Sequence, residues 1–163
     1  MLQVNNLTGF GVAPSGGGGG GGLMPVMTGY TSGDITVVAS NERAATGFDA
    51  WMAFDGVNVN PNAWMAVAGT QWLKIDFGAA QAVSRYDIFM RDENNDMKTW
   101  TFQGSDNNSS WTTLDTQTNF VRAEGWFEFT LAATETYRYY RIHTTENQGN
   151  GLSVIIGEMQ LYS

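Results

Sequence analysis

The chain has no cysteine, so no disulfide supports its fold and no thiolate can act as nucleophile or metal ligand. A single histidine, His143, rules out a His-cluster metal site. Basic residues are few: 8 Lys and Arg stand against 16 Asp and Glu, a formal net charge of −8. That balance argues against nucleic acid and against anionic lipid, since both need a basic surface. No segment is long and apolar enough to span a bilayer, so membrane insertion is not expected. The N-terminus lacks the basic region and apolar run of a signal peptide. With the missing cysteine, this suggests synthesis in a reducing cytoplasm. There is no G-x-S-x-G nucleophile elbow. The run Gly16–Gly22 is not followed by Lys-Ser/Thr, so it does not cradle phosphate. The carboxylates show no spacing that singles out a glycosidase pair. An enzyme is not expected.

What is present points to one β-rich body. With 42% hydrophobic and 13% aromatic residues in 163, the chain can bury a real core. From Asp34 onward, short segments alternate with period two, and turn residues separate them. Leu73, Ile75 and Phe77 fall on one face, Trp72, Lys74 and Asp76 on the other. Tyr86, Ile88 and Met90 share a face, as do Trp100 and Phe102. Tyr140 and Ile142 alternate with Tyr139, Arg141 and His143. Ile155, Met159 and Leu161 share a face. This pattern predicts an all-β sandwich with almost no helix. Its core should include Leu73, Ile75, Phe77, Ile88, Phe102, Tyr140, Ile142 and Leu161.

Residues 1–33 read differently. They contain no Asp, Glu, Lys or Arg, and seven consecutive glycines lie at their centre. In isolation such a run is a flexible linker. Its apolar and neutral-polar flanks could bury against a partner without desolvating charge. The expected division is an uncharged Gly-rich arm over 1–33 and a folded head over 34–163.

The most specific stretch is WTFQGSDNNSSWTTLDT, Trp100–Thr116. Two alternating strands flank a Gly104–Ser110 turn cluster, the pattern of a β-hairpin. It resembles the hairpin of the discoidin, or coagulation-factor type C, domains. These are galactose-binding-like β-sandwiches, similar to the family 32 carbohydrate-binding modules. QWLKIDFG (Gln71–Gly78), YRYYRI (Tyr137–Ile142), GEMQLY (Gly157–Tyr162) and AFDG (Ala53–Gly56) resemble other family motifs in the same order. The resemblance covers residues 34–163. It implies a jelly roll of about eight antiparallel strands. It does not name a ligand, because such domains bind sugars, lipids and proteins.

The loop DGVNVNPN, Asp55–Asn62, is rich in the hard oxygen donors that suit Ca²⁺. The resemblance implies a structural calcium here, held by Asp55, Asn60 and Glu158 with backbone carbonyls. Trp64 follows Asp55 by nine positions, later than in the family, so Asn58 is an alternative to Asn60. An Asx-rich turn bonded to its own backbone is the other reading. Sugar sites pair a flat apolar surface with a few fixed polar groups. The resemblance implies such a site in the loops 41–51, 91–97 and 146–152. Its candidates are Arg91 with Asn94 or Asn95, beside a platform from Trp51, Trp64 or Phe48. The last loop, ENQGNGL, lacks the aromatic that many sugar binders place there. In the alternative, Arg91 pairs with Asp92 or Glu93, and Trp51 and Trp64 plug the end of the core. His143 is expected at the sheet surface.

These features suggest a non-catalytic phage virion protein, of the capsid decoration or tail-fibre kind. Residues 1–30 would contact other virion proteins, and the head would bind cell-surface glycans as one of many copies. A purely structural decoration or adaptor module is the alternative. A lipid-binding discoidin domain is disfavoured by the acidic balance.

Overall fold

The computed structural model describes residues 22–44, 47–91, 94–121, 123–149 and 152–163. Among the described residues, nine strands and one short 3-10 helix are delimited, in the order β1 (Thr31–Ser32), β2 (Ile35–Ala39), the helix (Ala50–Phe54), β3 (Trp64–Val67), β4 (Gln71–Arg91), β5 (Met97–Ser105), β6 (Thr112–Gln117), β7 (Glu124–Asn147), β8 (Ser153–Ile156) and β9 (Glu158–Tyr162). The strands run β1-β2-β4-β7-β5-β6 in one sheet, with β9 also on β4, while β3 and β8 form a second, two-stranded sheet. Every strand pairing is antiparallel. This is the all-β sandwich that the alternation predicts.

The long strands β4 and β7 carry the architecture. The first half of β4 pairs with β2, the second half with β9. Between them the β4–β7 register breaks between Asp76 and Gln81. Gly78 sits in this break at φ 77°, and a Cβ there would lie 2.8 Å from the Asp34 Cβ. Only glycine fits that corner. The Tyr140 hydroxyl lies 2.7 Å from Gln81 O and 2.9 Å from Glu135 O, and accepts from Tyr137 N at 3.0 Å. It therefore satisfies backbone groups that the broken ladder leaves over.

Because side chains alternate across a strand, both halves send apolar rows inward. Tyr86 stacks on Phe102 at 4.4 Å and on Phe129 at 4.9 Å, and Phe102 stacks on Tyr140 at 5.6 Å. All eight predicted core residues are buried. Each such side chain contributes about 1.5–3 kcal/mol of transfer free energy. The Tyr86 hydroxyl donates to Asp115 Oδ2 at 2.6 Å and accepts from Trp100 Nε1 at 3.1 Å, so the buried aromatic tips are satisfied.

The boundary expected at residue 33 moves. Residues 22–33 belong to the folded body. Met24 and Met27 are buried in the core. Leu23 N donates to Leu161 O at 2.7 Å, and Met27 N donates to Phe54 O at 2.9 Å. Gln160 clasps Met24 by accepting from its N at 2.8 Å and donating to its O at 3.1 Å. A neutral segment can enter a core as readily as it can leave a domain, and charge alone does not separate the two. Residues 1–21, with most of the glycine run, lie outside the described residues.

Candidate functional site

The connections after β2, β4 and β7 and the loop before β3 join in one surface region. Asn41 holds the first of them: its carbonyl accepts from Trp64 Nε1 at 2.9 Å, and its Oδ1 accepts from Val67 N at 3.1 Å. Ala68 N donates to Leu152 O, Ile155 N to Asn95 O and Gln148 N to Asp96 O, each at 2.9 Å.

Two clusters of carboxylates stand in this region. In the first, Tyr30, 40% exposed, brings its hydroxyl 2.7 Å from Glu42 Oε1 and 2.9 Å from Asp49 Oδ1. A hydroxyl has one proton, so it can donate to only one of them at a time. The other carboxylate oxygen then has an acceptor position to offer. Burial and the two carboxylates raise the Tyr30 pKa far above the usual phenol range. Glu42 Oε2 accepts from Ala50 N at 2.9 Å, which ties the cluster to the start of the 3-10 helix. Trp51, the next residue of that helix, is half-buried and packs on the core with part of its surface outward. Sequence reasoning did not single out Tyr30, Glu42 or Asp49. Tyr30 is remote in the chain and lay in the supposed arm, so only the fold brings it to the two acids.

The second cluster lies in the loop after the helix. Asp55 and Glu158 are both buried. Asp55 Oδ1 accepts from Val57 N at 2.8 Å, an Asx turn, and Oδ2 accepts from Asn62 Nδ2 at 2.8 Å. Glu158 Oε1 accepts from Gly56 N at 3.2 Å. Glu158 Oε2 and Asn58 Oδ1 are buried without a hydrogen-bond partner. Burial first, then the charge of Asp55, pushes the Glu158 carboxyl up to about 8. Buried acceptor oxygens with no donor are what a hard cation satisfies, so the residues present fit Ca²⁺. Asn60 is exposed, and no hydrogen bond joins it to either carboxylate among the described residues. Asn58, the alternative to Asn60, is half-buried, and Asn62, which sequence reasoning did not single out, is bonded to Asp55. Among the described residues, no three His, Cys, Asp or Glu side chains gather into a metal cluster.

The expected sugar contacts fare unevenly. Trp64 is fully buried, with its Nε1 bonded to Asn41. It is a plug of the core, and its ring cannot serve as a platform. Phe48 is half-buried against Met65 and Ile155. Arg91 lies against the loop before β3. Its Nη2 donates to Val59 O at 3.3 Å and, in a short contact, to Asn62 O. The guanidinium therefore braces the Asp55–Asn62 loop from the end of β4. Asp92 and Glu93, its expected alternative partners, lie outside the described residues. Asn94 is exposed in the turn after β4; Asn95 is half-buried, with a buried Oδ1 that has no hydrogen-bond partner. The 146–152 connection offers Leu152, 74% exposed, where an aromatic is missing.

Comparison with known proteins agrees with this architecture. Chitosan-binding module 1 of a chitosanase/glucanase from Paenibacillus sp. IK-5 is 28% identical, with a TM-score of 0.66 over 80% of this chain and 96% of that one. A Clostridium perfringens family 32 module in complex with GalNAc-β-1,3-galactose has 14% identity and a TM-score of 0.69, over 80% and 96% of the two chains. The family 32 module of NanJ from C. perfringens, in complex with galactose, has 21% identity and a TM-score of 0.65, over 80% and 95%. No curated protein sequence matches the chain. The model of the F5/8 type C domain matches residues 36–158, and the chain belongs to that family.

Proposed function

We propose that the protein is a non-catalytic carbohydrate-binding module whose loop region binds a glycan through Glu42 and Asp49 beside Trp51. The observation that carries this reading is the convergence of two carboxylates on the single Tyr30 hydroxyl, with the half-buried Trp51 two residues after Asp49 in the chain. A sugar hydroxyl or a sugar ammonium can donate to the carboxylate that Tyr30 leaves unserved. The indole face offers an apolar surface to the C–H groups of the ring. Exposed Asn94 adds an amide to the same region. The relatives support a glycan: one is a chitosan-binding module, others are in complex with galactose or, for a second Paenibacillus module, with chitotriose. A cationic amino-sugar chain suits paired carboxylates best. Single sites of this kind bind weakly, and multivalent display strengthens them.

Ca²⁺ is proposed as a structural ion, held by Asp55, Asn58 and Glu158 with nearby carbonyls. It would neutralise two buried carboxylates and fix the loop that Arg91 braces. Anchoring on a virion through residues 1–30 finds no support in these relatives, which are bacterial modules, several of them from carbohydrate-active enzymes.

A screen of immobilised glycans against bead-multimerised protein tests the reading. Wild type should retain chito-oligosaccharide or galactose-containing glycans. The Glu42→Gln/Asp49→Asn pair should lose them with its thermal melt unchanged. Equal retention by both proteins would contradict it.

A further inference from the structure

The outward face of the main sheet carries a second feature, made by strand residues and not by the loops. Val38, Lys74, Arg141, Gln103 and Thr113 face one another in succession across β2, β4, β7, β5 and β6. Trp72, His143 and Thr101 form the next row, and Asp76, Tyr139 and Ser105 the one beyond. Side chains of alternate residues stand on one face, and Lys74 and Arg141 are therefore adjacent cations.

Their situation is unusual for an acidic chain. Arg85, Lys98 and Arg138 are each ion-paired, to Asp87, Glu146 and Asp76. Lys74 and Arg141 have no carboxylate within ion-pair distance among the described residues. The nearest acid on their face, Asp76, is taken by Arg138 in a two-point contact of 2.8 and 3.0 Å. Lys74 donates to the Asn108 amide at 2.9 Å, and Arg141 Nε to the Gln103 amide at 2.7 Å. The terminal nitrogens of Arg141 have no protein acceptor among the described residues. Its guanidinium stacks 4.0 Å from the Trp111 ring centre, and the Lys74 ammonium lies 5.2 Å from that of Trp72 and 6.0 Å from that of Tyr139. A ring over one face of a guanidinium leaves its N–H edge able to donate. Burial lowers the Lys74 pKa, and the Arg141 charge adds to this while Asp76 opposes it. Burial and the same Arg141 charge lower His143. The cations repel one another, and an anion between them would relieve that.

From this row we infer a second binding site on the sheet face, for an acidic polysaccharide whose sugars carry carboxylate or sulfate. Lys74 and the donor edge of Arg141 would take the anionic group. Trp111, Trp72 and Tyr139 provide ring surface, and Gln103, Asn108 and His143 provide neutral partners for hydroxyls. The net charge of −8 opposes a densely charged polyanion such as nucleic acid. A sparsely charged sugar chain meets only the local cations. This site is made by other residues than the loop site and does not rest on glycan binding there.

Affinity electrophoresis of the full chain through gels containing polygalacturonate, a lightly sulfated dextran, neutral dextran or oligo(dT) tests it. Wild type should be retarded by polygalacturonate or by the lightly sulfated dextran, and the two gels distinguish carboxylate from sulfate. Dextran should have no effect, and added salt should weaken the retardation. Lys74→Gln/Arg141→Gln should lose at least about tenfold in apparent affinity, with an unchanged melt, while Glu42→Gln/Asp49→Asn should retain it. Trp111→Ala keeps both charges and should weaken retention on its own. The inference is overturned if neither acidic polysaccharide retards the protein. It is equally overturned if the Lys74/Arg141 variant runs like wild type, or if oligo(dT) retards as strongly as the sugars.

Discussion

The loop region and the outer sheet face treat charge in opposite ways. In the loops, carboxylates crowd together: Glu42 with Asp49 around one hydroxyl, Asp55 with Glu158 around buried oxygens that lack donors. On the sheet face two cations stand side by side without a carboxylate, stacked on aromatic rings. Like charges held close cost free energy unless a ligand intervenes. Other groups are satisfied within the protein, as in the Arg138–Asp76 contact and the Tyr86–Trp100–Asp115 network. The contrast separates groups paired within the protein from groups that leave a donor or acceptor position unserved.

The largest expected effect lies beneath both regions. Ile142 is fully buried between Tyr140 and Thr144 on β7, directly behind the Arg141 row. Ile142→Ala should cost about 2–5 kcal/mol in denaturant unfolding. A cost below about 1 kcal/mol would mean that the sheet does not rest on this core.

Calcium comes next and acts on the loops alone. At a hundredfold excess over Kd it should stabilise the fold by about 2.7 kcal/mol. Chelator should lower the melting temperature, and Asp55→Ala should abolish that response. The pH dependence has a definite sign. Glu158 has a folded pKa of about 8 against an ordinary 4.5. The folded state therefore holds a proton that the unfolded state has released. Without metal, stability is full below 4.5 and falls as pH rises through about 8. Asp87, pushed up to about 6 mainly by burial, acts in the same direction from 3.8. Only the Glu158 part should vanish with Ca²⁺, because metal binding displaces the proton. Melting curves with and without chelator should therefore diverge most above about pH 6.

Arg91→Ala should cost about 1–3 kcal/mol by leaving loop carbonyls without their charged donor, and should weaken the calcium response. If it instead abolished glycan retention with stability and calcium response intact, Arg91 would be a sugar contact and not a brace. The smallest effect should be that of Glu42→Gln/Asp49→Asn on stability, within about 0.5 kcal/mol for partly exposed groups.

Much of this fold was legible in the sequence. Period-two alternation located β4, β5, β7 and β9 and identified their inward residues, since burial on one face imposes that period. It failed where burial is two-sided. Trp64, Met65 and Ala66 of β3 are all buried, so the strand shows no alternation, and Trp64 read as a platform. It failed again at Met24 and Met27, which enter the core from an irregular segment without a period. In the site, Asp55, Asn58 and Glu158 were visible as oxygen donors near a recognisable motif. The Tyr30–Glu42–Asp49 contact was not, because it joins parts of the chain that only the folded body brings together. The orientation of Arg91 was equally hidden, since residue type does not say which carbonyl a guanidinium meets.

The central claim is that the loop region, and not the sheet face, holds the neutral or amino-sugar glycan. Two-dimensional NMR of the six tryptophan indoles during titration with chitotriose tests it directly. The account predicts a progressive shift of the Trp51 indole, abolished by Glu42→Gln/Asp49→Asn, with the Trp111 and Trp72 indoles unmoved. Shifts at Trp111 and Trp72 with Trp51 unmoved would contradict it.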